Sequence, residues 1–256
     1  MSDSTTRFSD RVADYIATRP EYPLAILDIL REHAGLTSSL STSIADVGSG
    51  TGLSSEMFLK NGNLVFGVEP NREMRMAAED LLAGWPNFCS VAGSAEATTL
   101  PDASVDLIVV GQAFHWFDPP RARVEFRRIL RPGGQVVLMW NTRRIDSSPF
   151  LRGYEQLLQK YGTDYREVVH TNIDQDKLAA FFGGTFQSFR LDNAQVFDRE
   201  GLRGRTRSSS FTPTIGDLRF EPMMRELDQL FDSFHEDGRV RFEYDTELYV
   251  GSITLP

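Results

Sequence analysis

The sequence predicts an α/β fold with a mostly parallel sheet covered by helices on both faces. Between Ile44 and Asn141, five short apolar runs alternate with helical segments of about ten residues, the pattern of right-handed strand–helix–strand units. A glycine-rich loop, "GSGTG" (Gly48 to Gly52), directly follows the first run. The last segment, "RVRFEYDTELYVGSI", instead alternates apolar and charged residues, as an antiparallel strand at or near a sheet edge does.

The elements follow in order. "YPLAILDILREHAG" repeats Leu24, Leu27 and Leu30 at helical spacing, with Pro23 suited to the first turn and Gly35 to the stop. After the loop "LTSSLSTS", "IADVG" is a short buried strand, and "LSSEMFLKNG" is a helix closed by an Asn-Gly pair. "LVFGVEP" is a second strand, followed by the helix "NREMRMAAEDLLAG". "FCSVAGS" and "VDLIVVGQAF" are the third and fourth strands; an Arg-rich helix ending at "RPGG" leads to the fifth, "QVVLMWN". From Pro149 the order changes. "FLRGYEQLLQKY" reads as a helix, "FQSFRLDNAQVF" as a strand with a turn or bulge, and "EPMMRELDQLFDSF" as a helix with Met223, Leu227, Leu230 and Phe234 on one face. In the closing strand, Val240, Phe242, Tyr244, Thr246, Leu248 and Val250 share one face, while Arg241, Glu243, Asp245 and Glu247 share a half-exposed one.

Composition narrows the function. A chain of 256 residues with 41% hydrophobic and 25% charged residues has an ordinary globular balance. No apolar run reaches the ~18 residues of a membrane helix, and the polar opening "MSDSTTRFSD" lacks the order of a signal peptide. A cytoplasmic protein with no membrane partner is expected. Cys89 is the only cysteine, which excludes an internal disulfide and a thiolate zinc site; it reads as a small buried hydrophobe, and no metal is expected. The formal charge of −9 opposes a polyanion partner. "RARVEFRRILR" reads as a solvated helix face, so small molecules are favoured over nucleic acid.

The glycine loop is not a dinucleotide fingerprint. In G-x-G-x-x-G the third glycine lets helix and strand pack closely, and that position is Leu53 here. A phosphate-binding Walker loop is absent as well, because no Lys-Ser or Lys-Thr pair follows. Glu69 ends the second strand about 20 residues on, where a carboxylate can accept from both ribose hydroxyls. "GSAE" (Gly93 to Glu96) follows the third strand and Gln112 the fourth. All four places lie at carboxyl ends of strands, the rim where open α/β sheets bind ligands.

These residues resemble the motifs of class I S-adenosylmethionine-dependent methyltransferases. "ADVGSGTG" is similar to the first motif, "VFGVEPNREM" to the second, "SAEATTLPDASVDLIVVGQAFHWF" to the third and "ILRPGGQVVLMWN" to the fourth. "DRVADYIATRPEYP" resembles the opening of the small-molecule group that includes trans-aconitate and quinone-biosynthesis methyltransferases. The resemblance covers about residues 7 to 142 well and the remainder loosely. It implies a Rossmann-like class I methyltransferase fold: a mostly parallel seven-stranded sheet with an antiparallel edge hairpin. It also implies one domain over 1–256, with a helical lid (1–40), a cofactor-binding core (41–142) and a C-terminal part (143–256) that completes the sheet and the substrate pocket.

The implied cofactor is S-adenosylmethionine, with Asp46, Gly48, Ser49, Gly50, Thr51 and Gly52 around its methionine end. By the same resemblance Glu69 holds the ribose, Pro70 and Met74 flank the adenine, and Ser94, Ala95, Glu96 and Gln112 complete the site. Relatives usually carry an aspartate at the position of Ser94, so either Ser94 or Glu96 meets the adenine amino group. Tyr15 and Arg19 belong to the lid. His115 is the candidate general base, with a structural donor or pocket wall as the alternatives; Trp116, Arg207 and Ser208 are candidates for the acceptor pocket, and "RTRSSSF" for gripping a carboxylate. The motif "DPPR" (Asp118 to Arg121) superficially resembles that of DNA amino-methyltransferases, but "GQAF" occupies the required place after the fourth strand. The expected reaction is in-line methyl transfer to a small-molecule carboxylate or hydroxyl, by a monomer or homodimer. Alternatives are a cofactor-binding protein without transfer activity and a nicotinamide oxidoreductase.

Overall fold

The computed structural model describes residues 18–163, 165, 175–209 and 211–253. Among them, seven strands form one sheet: β1 (Ser43–Val47), β2 (Leu64–Val68), β3 (Phe88–Val91), β4 (Val105–Gly111), β5 (Leu130–Arg143), β6 (Gln187–Phe197) and β7 (Val240–Gly251). Their order is β3-β2-β1-β4-β5-β7-β6. The pairings from β3 through β5 are parallel, and β7 runs antiparallel to both β5 and β6. Strand order reverses between β1 and β4, which opens a crevice at their carboxyl ends.

Helices cover both faces. On one side α1 (Ala25–His33) and α2 (Leu53–Lys60) bury Ile26, Leu27, Leu30, Met57 and Phe58 against Ile44, Val65, Leu107 and Met139. α3 (Arg72–Leu81) begins at Asn71, whose side chain accepts from Met74 N, a capping arrangement that fixes where the helix starts. On the other side α4 (Pro119–Ile129) and α6 (Gln175–Phe182) pack Phe126, Ile129, Phe181 and Phe182 on Val47, Ile108, Val136 and Trp140. A third apolar cluster lies where α5 (Pro149–Tyr161), α7 (Arg199–Arg207) and α8 (Phe220–Phe234) meet Phe197, Phe242 and Tyr244. This helical cap contains the connection between β6 and β7, so the antiparallel edge pair is joined by two helices rather than a tight turn.

Several local expectations are corrected. Leu24 is exposed and stands at the N-cap of α1, so the buried stripe is Ile26, Leu27 and Leu30. β6 runs unbroken from Gln187 to Phe197 against β7, with no turn or bulge. α8 buries Phe220, Met223, Met224, Leu227 and Phe231, whereas Phe234 is exposed because the last turn runs past the cluster. The charged face of β7 is half-exposed, as expected: Arg241 is exposed and Glu243, Asp245 and Glu247 are half-buried, with Arg144 and Arg190 pairing with Asp245. Cys89 is only half-buried.

Two arginines in and after α4 serve local structure. Arg128 pairs with Glu125 and Asp102, and Arg131, just beyond the helix, pairs with Asp106. Among the described residues no helix is long and apolar enough to cross a membrane, and no group of three or more metal-ligating side chains could hold an ion.

Candidate functional site

The three glycines after β1 serve two different needs. All have φ values between +57° and +86°, a region where an L side chain is strained. A Cβ at Gly48 would stand 2.5 Å from the Ala113 Cβ, and one at Gly52 would stand 2.6 Å from Leu82 Cδ1. Those two glycines let the loop pack. A Cβ at Gly50 would meet nothing within 4 Å, so Gly50 presents bare backbone to open space.

Glu69 ties this loop to the end of β2. Its Oε2 accepts from Gly50 N at 2.9 Å, and its Oε1 accepts from Asn71 N at 2.8 Å. Gly48 N and Ser49 N donate to Val68 O. Burial pushes the Glu69 carboxyl up, partly offset by the two backbone donors and by Arg75. Asp46, at the end of β1, is fully buried. Its Oδ2 accepts from Ser54 Oγ at 2.7 Å and from Ser55 Oγ at 2.6 Å, while its Oδ1 has no partner. Burial drives the Asp46 carboxyl up to about 6; the serines pull it down and the Glu69 charge adds to the rise.

Two buried carboxyl groups beside an open glycine fit a small ligand carrying a positive charge. Asp46 Oδ1, buried and without a partner, can accept a hydrogen bond from such a ligand. A pyrophosphate would meet repulsion at the same place.

Burial of Asp46 makes the stability of the fold depend on pH. Its folded pKa lies above the unfolded value, so the folded chain holds a proton that the unfolded chain has released. The resulting stability is full below pH 3.8 and is lost as pH rises through 6, an effect of about 3 kcal/mol for one group. Asp46→Asn keeps an acceptor for Ser54 and Ser55 without the charge. The ligand-free variant is expected to unfold at a higher temperature than the parent at pH 7.5, with the difference shrinking towards pH 4.5, and to bind S-adenosylmethionine more weakly. A melting series over this range checks it; parallel curves for the two proteins would contradict it.

The other expected cofactor residues follow β1, β2, β3 and β4 in the chain. Ser49 and Thr51 are buried in the loop, Met74 is buried on α3, and Pro70 is exposed. Ser94 and Ala97 exchange backbone hydrogen bonds across a tight turn, with Ala95 buried and Glu96 half-buried at its tip. Glu96 Oε1 accepts from Asp118 N, the cap residue of α4, so this carboxylate already ties the turn to the helix. Gln112 has φ +59°, and its Nε2 donates to Asn141 O at 3.1 Å. His115 and Trp116 form a single 3-10 turn after β4, both exposed, with rings 4.7 Å apart. Trp116 is therefore a rim residue and not core.

Among the residues expected in the acceptor pocket, Ser208 is fully buried and caps α7. Its hydroxyl donates to Arg205 O and accepts from Thr18 Oγ1, and its carbonyl accepts from Arg19. Ser208 thus anchors the segment before α1. Arg207 pairs with Glu200 at 3.3 Å. Tyr15 lies outside the described residues.

Sequence reasoning missed several groups. Ser54 and Ser55 hold Asp46; their signal is two adjacent serines in the first turn after a glycine loop. Tyr22 Oη stands 2.8 Å from where a Cβ on Gly111 would be, and Ser54 Oγ stands 3.3 Å from the same point, so Gly111 makes room for both. Asn141 joins the ends of the strands: its Nδ2 donates to Pro20 O, and its Oδ1 accepts from Thr246 Oγ1 and Asn193 Nδ2.

Comparison with known proteins agrees with this geometry. Residues 45–138 match the family described as "Methyltransferase domain". The chain is 38% identical over 141 residues to an uncharacterized methyltransferase of Mycobacterium tuberculosis, covering 55% of this chain and 54% of the relative. It is 35% identical over 158 residues to an uncharacterized methyltransferase-like protein of Schizosaccharomyces pombe, covering 61% and 59%. The match thus spans little more than half the length of these relatives. Among solved structures, a candidate type II methyltransferase from Anaeromyxobacter dehalogenans superposes with a TM-score of 0.63 at 20% identity, covering 93% of this chain and 99% of that one. The YcgJ protein of Bacillus subtilis superposes at 0.55 with 21% identity, covering 90% and 97%. The sheet order and the glycine corner after β1 are those of a Rossmann-like class I methyltransferase fold, and residues 45–138 are similar to the methyltransferase domain family.

Proposed function

We propose that the protein transfers the methyl group of S-adenosylmethionine to a carboxylate or hydroxyl of a small molecule by in-line displacement. The observation that carries this reading is the open corner at Gly50, flanked by the buried Asp46 and Glu69. Asp46 and the loop backbone would hold the methionine end, Glu69 the ribose, and Met74 with the turn Ser94 to Glu96 the adenine. Residues 41–142 act as the cofactor-binding core, and the remaining segments furnish the acceptor pocket. The opening motif "DRVADYIATRPEYP" favours the group that includes trans-aconitate and quinone-biosynthesis methyltransferases.

The sulfonium of the cofactor is itself an excellent leaving group, so the protein's own part is position and dryness. Gln112 is held to Asn141, and Asn141 to the segment before α1. That chain of bonds ties the end of β4 to β5 and to the segment before α1.

Calorimetric titration with S-adenosylmethionine, S-adenosylhomocysteine and NAD tests the cofactor: the first two are expected to bind and NAD is not. Binding of NAD in their place would overturn the reading. Release of methylated product in an acceptor screen separates transfer from mere cofactor binding.

His115 is exposed at the rim, a position suited to shaping the acceptor entrance rather than to removing a proton in a dry site. In His115→Ala the acceptor KM is expected to rise while the pH–rate curve keeps its shape. Loss of a limb in the histidine range, about pH 6–7, with a rate drop of roughly 10²–10⁴-fold, would make His115 the base instead.

A further inference from the structure

The sheet ends at β6, and the outer edge of that strand is open. Arg144 N donates to Glu243 O, so Glu243 turns its backbone groups towards β5 and away from Ala194, the residue opposite it on β6. In an antiparallel pair the residue opposite then turns its own groups outward. The pairing of β6 with β7 runs without a shift from Gln187 to Phe197, so the alternation holds along the whole strand. Ser188, Arg190, Asp192, Ala194 and Val196 therefore present backbone N–H and C=O groups to the outside. Among the described residues, Ala194 N alone of these groups has a partner, Asn193 Oδ1 at 2.8 Å.

Sheet edges are commonly guarded against pairing by a bulge, a proline, an unmatched charge or a covering element. β6, "QSFRLDNAQVF", has no bulge, no proline and no lysine. Its charges are one cation and one anion two residues apart on the same exposed face, Arg190 and Asp192. Arg190 reaches Asp245 at 3.2 Å, and Asp192 pairs with Arg144, yet their side chains stay 66% and 89% exposed. Both keep most of their surface for a further partner.

That spacing is complementary to itself in one register. A two-fold axis at Leu191 sets Arg190 of one copy directly across from Asp192 of the other, and does so twice. An axis at Arg190 would set two arginines against each other, and an axis at Asp192 two aspartates; like charges directly opposite are destabilising. The Leu191 register also places the two copies of Leu191 in a close, non-hydrogen-bonded pair, with Phe189 at the diagonal. Leu191 and Phe189 are half-buried, packed at the margin of the apolar cluster under α1 and α2, and the pairing would cover what they still expose.

We propose that β6 is a dimer edge: two copies of this chain pair antiparallel about a two-fold axis at Leu191 and join their sheets. Arg190 and Asp192 exchange backbone hydrogen bonds between the copies, as do Ser188 and Ala194, with Asn193 Oδ1 giving up Ala194 N. Each copy gives and receives the same contacts, so the assembly closes at two. One paired edge lies at the small end of stable interfaces, which sets the expected Kd at about 1–100 µM. The proposal is independent of the methyl-transfer reading.

The test is sedimentation velocity on the full chain over about 1–300 µM, where monomer is expected to pass to dimer. Arg190→Glu sets an acid against Asp192 of the second copy, and Asp192→Lys sets a cation against Arg190. Each variant alone is expected to dimerise on the order of 10-fold or more weakly than the parent. Mixed in equal amounts, the two variants regain an opposite pair at both positions and are expected to form a heterodimer with parent-like affinity. That recovery separates a broken edge from a damaged fold, and thermal melts of each variant check the fold directly. A parent that stays monomeric throughout, single variants that dimerise as the parent does, or a mixture that stays as weak as its components would overturn the proposal.

Discussion

Gly50→Val is expected to cost on the order of 10²-fold or more in S-adenosylmethionine affinity, with the sheet intact. Gly50 has φ +57°, where a β-branched side chain is strained. Its missing Cβ faces open space rather than protein, so the added isopropyl group stands where the ligand should lie. Gly50→Ala separates strain from occlusion: it carries the backbone cost, about 1–2 kcal/mol, with a much smaller obstruction. The neighbouring glycines should behave differently. Gly48→Ala sets a methyl against the Ala113 Cβ and is expected to lower the melting temperature before affinity can be compared. Parent-like affinity in a folded Gly50→Val protein would remove this loop from the binding site.

The second large effect belongs to Glu69. A carboxylate offers acceptors on both oxygens, and here both are used, one by Gly50 N and one by Asn71 N. In Glu69→Gln the amide nitrogen must face one of those N–H groups, donor against donor. Glu69→Gln is therefore expected to be nearly as damaging as Glu69→Ala, each losing about 1–3 kcal/mol of stability. S-adenosylmethionine affinity should fall on the order of 10- to 100-fold, because the ribose contact and the position of Gly50 are lost together. Thermal melts and titration of both variants check this. A glutamine variant that binds as the parent does would show that the carboxylate is not needed.

The parts of the site that were legible in the sequence are those made by local chain geometry. A glycine loop after a buried strand, and an acid at the end of the next strand, are each contained within a few residues. The carboxyl-end rim follows from strand order alone. Asp46 was also legible, but its partners were not: Ser54 and Ser55 sit on α2, and only the packed helix turns their hydroxyls to the carboxylate. The Asn141 network joins residues 52 and 105 positions apart, a distance over which pattern carries no register. Tyr22 faces Gly111 for the same tertiary reason.

β6 shows how local chemistry can mislead. Asp192 and Asn193 are turn-forming residues, and they suggested a break in the strand. In the fold Asp192 pairs with Arg144, and Asn193 donates to Glu21 O and Asn141 Oδ1. Those partners accept the polar side chains without bending the backbone. The stripe on α8 was misplaced by one turn at its end for a different reason: periodicity gives the buried face of a helix but not where the neighbouring core stops.

The measurement that tests the account most directly is a crystal structure with S-adenosylhomocysteine bound. The amino-acid end of the ligand should lie against Gly50 with its ammonium near Asp46 Oδ1, its ribose hydroxyls on Glu69, and its adenine between Met74 and the turn Ser94 to Glu96. Its sulfur should face the end of β4 at Gln112. Density for the ligand elsewhere, or a Glu69 carboxylate that makes no ribose contact, would contradict the assignment of the site.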